Sequence, residues 1–98
     1  ILQRGVRFPQ GPPFIMYYYT YMIKSISPGT KKTYVGYTNN LENRLQKHNS
    51  NKGAKSTKGY KWLLIYYKKF KNKNEAMSFE YKLKKDKYMR KKILEKSN

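Results

Sequence analysis

Tyr34-Val35-Gly36-Tyr37-Thr38-Asn39-Asn40-Leu41-Glu42-Asn43-Arg44-Leu45-Gln46-Lys47-His48-Asn49 changes character half-way along. Its first residues are aromatic and β-branched, the types that suit a strand. At Asn39 the pattern becomes helical. Asn39-Asn40-Leu41-Glu42 fits a capping box, in which a polar N-cap is followed three residues later by a glutamate that reaches back. A helix is expected from about Asn40 to His48, with Leu41 and Leu45 as its apolar stripe. Arg44 and His48, at i and i+4, share a face of that helix at the edge of its buried side.

The flanks complete the pattern. Upstream, Tyr17 to Ile23 reads as a tyrosine-rich strand, Ser27-Pro28-Gly29-Thr30 as a tight turn, and Lys32 to Gly36 as the returning arm of a hairpin. Downstream, Asn49 to Gly59 carries glycines, hydroxyls and three lysines and is expected to be a flexible loop. Trp62 to Phe70, built on Leu63-Leu64-Ile65-Tyr66-Tyr67, is the strongest strand. Asn72 and Glu75 repeat the capping-box pattern, and a helix from about Lys73 to Lys85 should bury Ala76, Phe79 and Leu83. A short basic helix, Lys87 to Glu95, should turn Met89, Ile93 and Leu94 inward. The order β-β-α-β-α-α predicts an α+β fold, a small three-stranded antiparallel sheet flanked by helices.

Ninety-eight residues make one small domain with a modest core. Only 38% are hydrophobic, but 16% are aromatic, eleven of them tyrosines, and large rings build a core from few positions. The net charge of +18, from 23 basic and 5 acidic residues, implies a polyanionic partner, nucleic acid ahead of a membrane surface. With no cysteine and one histidine, disulfides and His/Cys zinc sites are excluded. No apolar run reaches the roughly 20 residues of a membrane span, so the cell interior is expected, cytoplasm or nucleoid in a bacterium. Residues Ile1 to Ile15 hold three of the four prolines and no clear periodicity. They are expected to be an extension ahead of a natural start at Met16, or the tail of an organellar transit peptide, with the domain proper over 16–98.

Tyr19-Thr20-Tyr21 and Tyr34-Val35-Gly36 bring one tyrosine each to the hairpin, followed in order by Arg44, His48 and Glu80. This ordered set resembles the GIY-YIG nuclease family, over roughly Met16 to Asp86. Gly53-Ala54-Lys55-Ser56-Thr57-Lys58 resembles the loop of its small single-domain members, and Glu80-Tyr81-Lys82-Leu83-Lys84-Lys85 its metal-glutamate helix. Tyr19 and Thr20 depart from the Gly and Ile of the family name. The resemblance implies a divalent-metal-dependent DNA endonuclease, with Tyr21, Tyr34, Arg44, His48 and Glu80 as site residues. It also implies one Mg²⁺ or Mn²⁺ on Glu80, and branched or flapped DNA in repair or processing.

The chemistry of each residue fits those roles. Phosphodiester hydrolysis needs an activated water and neutralised charge on the transition state. The planar fork of Arg44 can hold a phosphate. Mg²⁺ commonly takes only one or two protein carboxylates. Glu80 is the acid with no local structural role, since Glu42 and Glu75 are assigned to caps and Asp86 and Glu95 to a basic tail. A tyrosine titrates near ~10, so a base role needs a lowered pKa, which Arg44 and a metal would supply; a free histidine titrates near ~6.5. The base stays open among Tyr21, Tyr34 and His48. Lys52, Lys55, Ser56, Thr57, Lys58 and Lys84 are expected to grip phosphates by backbone and shape, not sequence. The competing expectations are a noncatalytic DNA- or RNA-binding module and a subunit that cuts only with a partner protein or as a homodimer.

Overall fold

In the computed structural model, which describes residues 16–98, the tyrosine-rich segment becomes the central strand of the sheet. The N-terminal stretch 1–15 lies outside the described residues. Strand β1, Tyr18–Ser25, is flanked by β2, Thr33–Thr38, and β3, Trp62–Phe70, in the order β2-β1-β3, antiparallel throughout. Helix α1 spans Leu41–Asn49, α2 Lys73–Lys85 and α3 Lys87–Lys96, with a 3₁₀ turn at Lys55–Thr57. The fold is α+β, as the residue pattern predicts.

The hairpin between β1 and β2 closes at Ser27–Thr30, where the Thr30 N–H donates to the Ser27 carbonyl at 3.2 Å. Gly29 takes φ 77°, the positive value that the third residue of a type II turn needs. The Thr30 hydroxyl donates to the Ser27 carbonyl, so the Ser25 hydroxyl donates to Thr30 Oγ1 and accepts the Lys32 N–H, which fixes the loop beside it.

Alternation along β1 divides the interior in two. Tyr19, Tyr21 and Ile23 face α1 and pack with Leu41, Leu45, Trp62 and Leu64. Met22 faces the other way and packs with Val35, Leu83 and Ile93, under α2 and α3. On that side the buried Thr20 hydroxyl donates to the Ala76 carbonyl at 2.7 Å, so no polar atom is stranded. A β-bulge serves both cores. Met22 pairs with Tyr66 but Ile23 with Leu64, so Ile65 is extra on β3. The parity of β3 changes there. Trp62 and Leu64 join the first core, Ile65 and Tyr66 the second, and Tyr67 returns to meet Tyr19 edge-on.

Caps fix the helices, with one shift from expectation. The N-cap of α1 is Asn40, not Asn39: its side chain accepts from the Asn43 N–H at 3.0 Å, and Glu42 makes no capping bond. The Thr38 hydroxyl accepts the Asn40 N–H, which sets the helix start one residue later. Asn72 caps α2 as expected, accepting the Glu75 N–H at 2.9 Å, while its side-chain amide rather than its backbone N–H donates to Glu75 Oε1 at 3.2 Å. Asp86, expected as part of a basic tail, is the N-cap of α3 through the Met89 N–H.

Among the described residues, no helix is long and apolar enough to cross a membrane.

Candidate active site

The site forms where the hairpin meets α1. Tyr21 pairs across the hairpin with Gly36, and its ring lies on that glycine. A Cβ at position 36 would stand 2.6 Å from the Tyr21 hydroxyl and 3.0 Å from Tyr34 Cε2. Gly36 is therefore the floor on which the two rings sit. Tyr34, opposite Ile23, brings its ring to 6.3 Å from Tyr21 and 5.0 Å from the imidazole of His48. One turn apart on α1, Arg44 and His48 both reach the Tyr21 hydroxyl.

The hydrogen bonds run in one direction. The Thr57 hydroxyl donates to the Ala54 carbonyl at 2.8 Å, which commits its proton. Its contact with His48 Nδ1, at 2.9 Å, is therefore one in which Nδ1–H donates and Thr57 accepts. His48 Nε2 is then unprotonated, and at 2.7 Å it accepts the hydroxyl proton of Tyr21. Arg44 Nε–H donates to the Tyr21 oxygen at 3.2 Å. The Tyr21 oxygen keeps one lone pair, while both nitrogens of the fully buried His48 ring are engaged.

Burial governs the electrostatics. The Tyr21 hydroxyl is pushed far up, by burial first and by Tyr34 and Glu80 to a lesser degree, although Arg44 pulls it down. The sequence reading, in which Arg44 lowers the tyrosine, is corrected here: desolvation of the phenolate outweighs one partly buried cation. His48 is lowered to about 4 by burial and then by the Arg44 charge. Burial also works against the Arg44 cation, but its contacts with the Tyr21 and Tyr34 hydroxyls hold it above its ordinary value. At neutral pH the centre is a neutral phenol on a neutral imidazole, beside a fixed positive charge.

Glu80, on α2, is close enough for its charge to act on Tyr21. It is not without a local partner, as the sequence reading has it, because it pairs with Lys84 one turn on at 3.6 Å. Lys84, expected on a phosphate, spends part of its charge there. Lys52, Lys55, Ser56 and Lys58 are exposed around the 3₁₀ turn. Thr57 is not a phosphate ligand: it is fully buried, with its hydroxyl used by His48 and Ala54.

Nor is the loop loose. The Trp62 indole donates to the Thr57 carbonyl, the Asn51 side chain accepts the Gly59 N–H, and Gly53 lies so close to His48 that a Cβ would stand 2.5 Å from Nδ1. Gly53 and Gly36 are thus the residues of this centre that sequence reasoning missed, while Thr57 was expected on a phosphate and instead holds His48. The signal available for Gly36 was its place opposite Tyr21 in the hairpin; for Gly53 it was its place in the family-like loop.

The model of the GIY-YIG catalytic domain matches residues 17–93. The chain belongs to the GIY-YIG family. Within it, the chain is similar to UPF0213 proteins. It is 58% identical over 52 residues to one from Oceanobacillus iheyensis, across 52% of this chain and 60% of that protein. It is 44% identical over 68 residues to one from Clostridium perfringens, across 68% and 70%. A protein of Acanthamoeba polyphaga mimivirus is 46% identical over 65 residues, across 61% of this chain and 38% of its own length. The matches thus span less than two thirds of the Oceanobacillus and mimivirus relatives. The solution NMR structure of a UPF0213 protein from Bacillus halodurans is 34% identical, covering 81% of this chain and 82% of that one, with a TM-score of 0.44. Tyr21, Tyr34, Arg44 and His48, which the fold brings together, all lie within the matched GIY-YIG region.

Proposed function

We propose that the chain is a divalent-metal-dependent endonuclease that hydrolyses DNA phosphodiester bonds, with Tyr21 taking the proton of the attacking water and His48 receiving it from behind. The observation that carries this reading is the one-way chain from Arg44 through Tyr21 to His48 and Thr57. Of the three candidate bases, His48 has both nitrogens engaged, one as donor and one as acceptor, so it has no lone pair left for a water. Tyr21, buried like His48, keeps one lone pair beside the Arg44 contact and has an acceptor behind it. As the water's proton moves onto its oxygen, its own proton passes to Nε2, and no free phenolate is needed. That matters because burial holds the phenol far above its ordinary range.

In the free domain His48 is a weak base. A phosphate seated against Arg44 offsets the second cause of its lowered pKa and leaves only burial. Substrate binding therefore strengthens the base that the reaction uses. Arg44 binds and orients the phosphate and stabilises charge in the transition state. Tyr34 packs against both other rings and keeps their geometry.

Glu80 fits a hard divalent cation in one respect: it is a lone, partly buried carboxylate whose charge reaches Tyr21, and Mg²⁺ accepts one such ligand with water and phosphate oxygens for the rest. Among the described residues no cluster of three or more His, Asp or Glu exists to hold a metal without substrate. A bound Mg²⁺ or Mn²⁺ supplies charge neutralisation of the phosphate and a more acidic water. Branched or flapped DNA inside the cell, in repair or processing, is the substrate this reading favours.

The Glu80–Lys84 pair favours a second reading, a noncatalytic nucleic-acid binder in which Glu80 only anchors a lysine. Glu80→Ala separates the two. It should abolish Mg²⁺-dependent cleavage of a flap and four-way-junction panel while preserving or tightening DNA binding. Undiminished cleavage by the variant removes the metal-dependent nuclease reading.

A further inference from the structure

A cleft of about 480 Å³ opens beside Arg44, away from the Tyr21–His48 pair. It is lined by Tyr18 and Tyr37 from the sheet, by Asn43, Arg44 and Lys47 from α1, and by Lys73 at the start of α2. Three cations face it and no carboxylate does. Among the described residues neither Lys47 nor Lys73 has an ion-pair partner. Nor does either tyrosine ring pack on another ring or under a lysine, whereas Tyr17, Tyr60, Tyr81 and Tyr88 each carry a lysine above the ring. Tyr37 stands opposite Thr20 on the neighbouring strand, and Tyr18 lies two residues from Thr20, so the two tyrosines are diagonal neighbours on one sheet face.

Unneutralised cations with vacant aromatic rings match the chemistry of a single nucleic-acid strand, whose backbone tracks the charge and whose bases stack on rings. A duplex hides its base faces and would leave both rings unused. We infer that this cleft binds a single-stranded segment continuous with the phosphate held at Arg44, with Lys47 and Lys73 on successive phosphates and an unstacked base against Tyr37 or Tyr18. The inference rests on the nuclease reading only in taking Arg44 as the phosphate at one end. It assigns the proposed preference for flapped or branched substrates to a particular surface.

The test is binding, not cleavage, so it stands or falls apart from the nuclease reading. Fluorescence anisotropy in EDTA would use labelled oligo-dT, labelled oligo-U and a blunt DNA duplex over a salt series. Lys47→Ala/Lys73→Ala should weaken single-strand binding and reduce the log–log salt slope by about 1.4, at roughly 0.7 per phosphate contact. Lys91→Ala/Lys92→Ala on α3 removes the same charge elsewhere and should leave the single-strand preference intact. Tyr37→Ser should weaken oligo-dT by about five- to a hundredfold and the duplex far less, while Tyr37→Phe should bind like the unaltered chain. Equal loss from the two lysine pairs, or a duplex bound as well as the single strand, overturns the inference. Should Tyr37→Ser fail to fold by circular dichroism, the lysine pairs decide it alone. Tighter binding of oligo-U than of oligo-dT would identify the strand as RNA and overturn the assignment to DNA flaps, with the cleft retained.

Discussion

Replacing Thr57 with valine removes one hydroxyl and almost no volume. The Thr57 oxygen is the acceptor that holds the proton of His48 on Nδ1, 2.9 Å away and fully buried. Without it, one of two things follows. If the proton stays on Nδ1, a buried N–H is left unpaired at a cost of about 1–3 kcal/mol. If it moves to Nε2, that nitrogen becomes a donor to Tyr21, whose oxygen already accepts from Arg44, and the acceptor behind the phenol is gone. Both outcomes lower stability, and for a domain of this size each kcal/mol corresponds to about 4–8 °C in Tm. The second also removes proton transfer, a contribution of about 10²–10⁴ in rate.

The single histidine makes the assay clean. The two imidazole ¹⁵N shifts report which nitrogen carries the proton, with no other ring to confuse them. The unaltered chain should show Nδ1 protonated and Nε2 bare at neutral pH. Thr57→Val should reverse or mix the tautomers and lose most cleavage on the flap and junction panel. Thr57→Ser, which keeps the hydroxyl, should retain both tautomer and rate. An unaltered chain with the proton on Nε2 would refute the direction of the hydrogen-bond chain. So would Thr57→Val with full activity, because the proposed path for the proton would then be unnecessary.

Other consequences follow from the same geometry. Gly36→Ala puts a Cβ 2.6 Å from the Tyr21 hydroxyl and 2.9 Å from Cζ, in a ring too buried and too firmly held to yield. It should cost about 1–3 kcal/mol by urea unfolding and at least about 10²-fold in cleavage rate, and an unimpaired rate would show that the floor is not needed. Burial keeps His48 neutral in the folded chain, at about 4 against 6.5 when unfolded, so the unfolded chain binds more protons between those values. Stability is then full above pH 6.5 and falls as the pH drops toward 4, by on the order of 3 kcal/mol, in a urea series against pH. His48→Gln should flatten that slope, and a slope that persists in the variant assigns it to another group. Arg44→Lys keeps a charge but loses the planar Nε–H that reaches Tyr21 at 3.2 Å, so it should reduce cleavage by tenfold or more with little change in DNA affinity. Equal losses in both would make Arg44 a binding residue only.

The residues best read from sequence are those whose role is set by near neighbours. Strand β3 and helix α2 fall at Trp62–Phe70 and Lys73–Lys85, where the aromatic run and the Asn72–Glu75 box place them. Arg44 and His48 share a face because they are four residues apart on a helix. Where two local choices are equal, a partner elsewhere decides. Asn39 and Asn40 are both good caps, and the Thr38 hydroxyl selects Asn40. The bulge at Met22/Ile23 has no glycine or proline to announce it, because what it satisfies is the division of β3 between two cores.

The site was legible as a set of residue types, but burial, which no residue type declares, redistributes the roles. Glu80, singled out for having no partner, has one in Lys84. Thr57, placed with the solvent-facing lysines of its loop, is among the most buried residues and sets the tautomer of the only histidine. Trp62 makes the difference: its indole binds the Thr57 carbonyl and draws the hydroxyl under the loop, between Ala54 and His48. A residue read from sequence only as the start of a strand thus fixes which nitrogen can accept the Tyr21 proton, and removing its N–H should disturb the histidine tautomer before it disturbs the sheet.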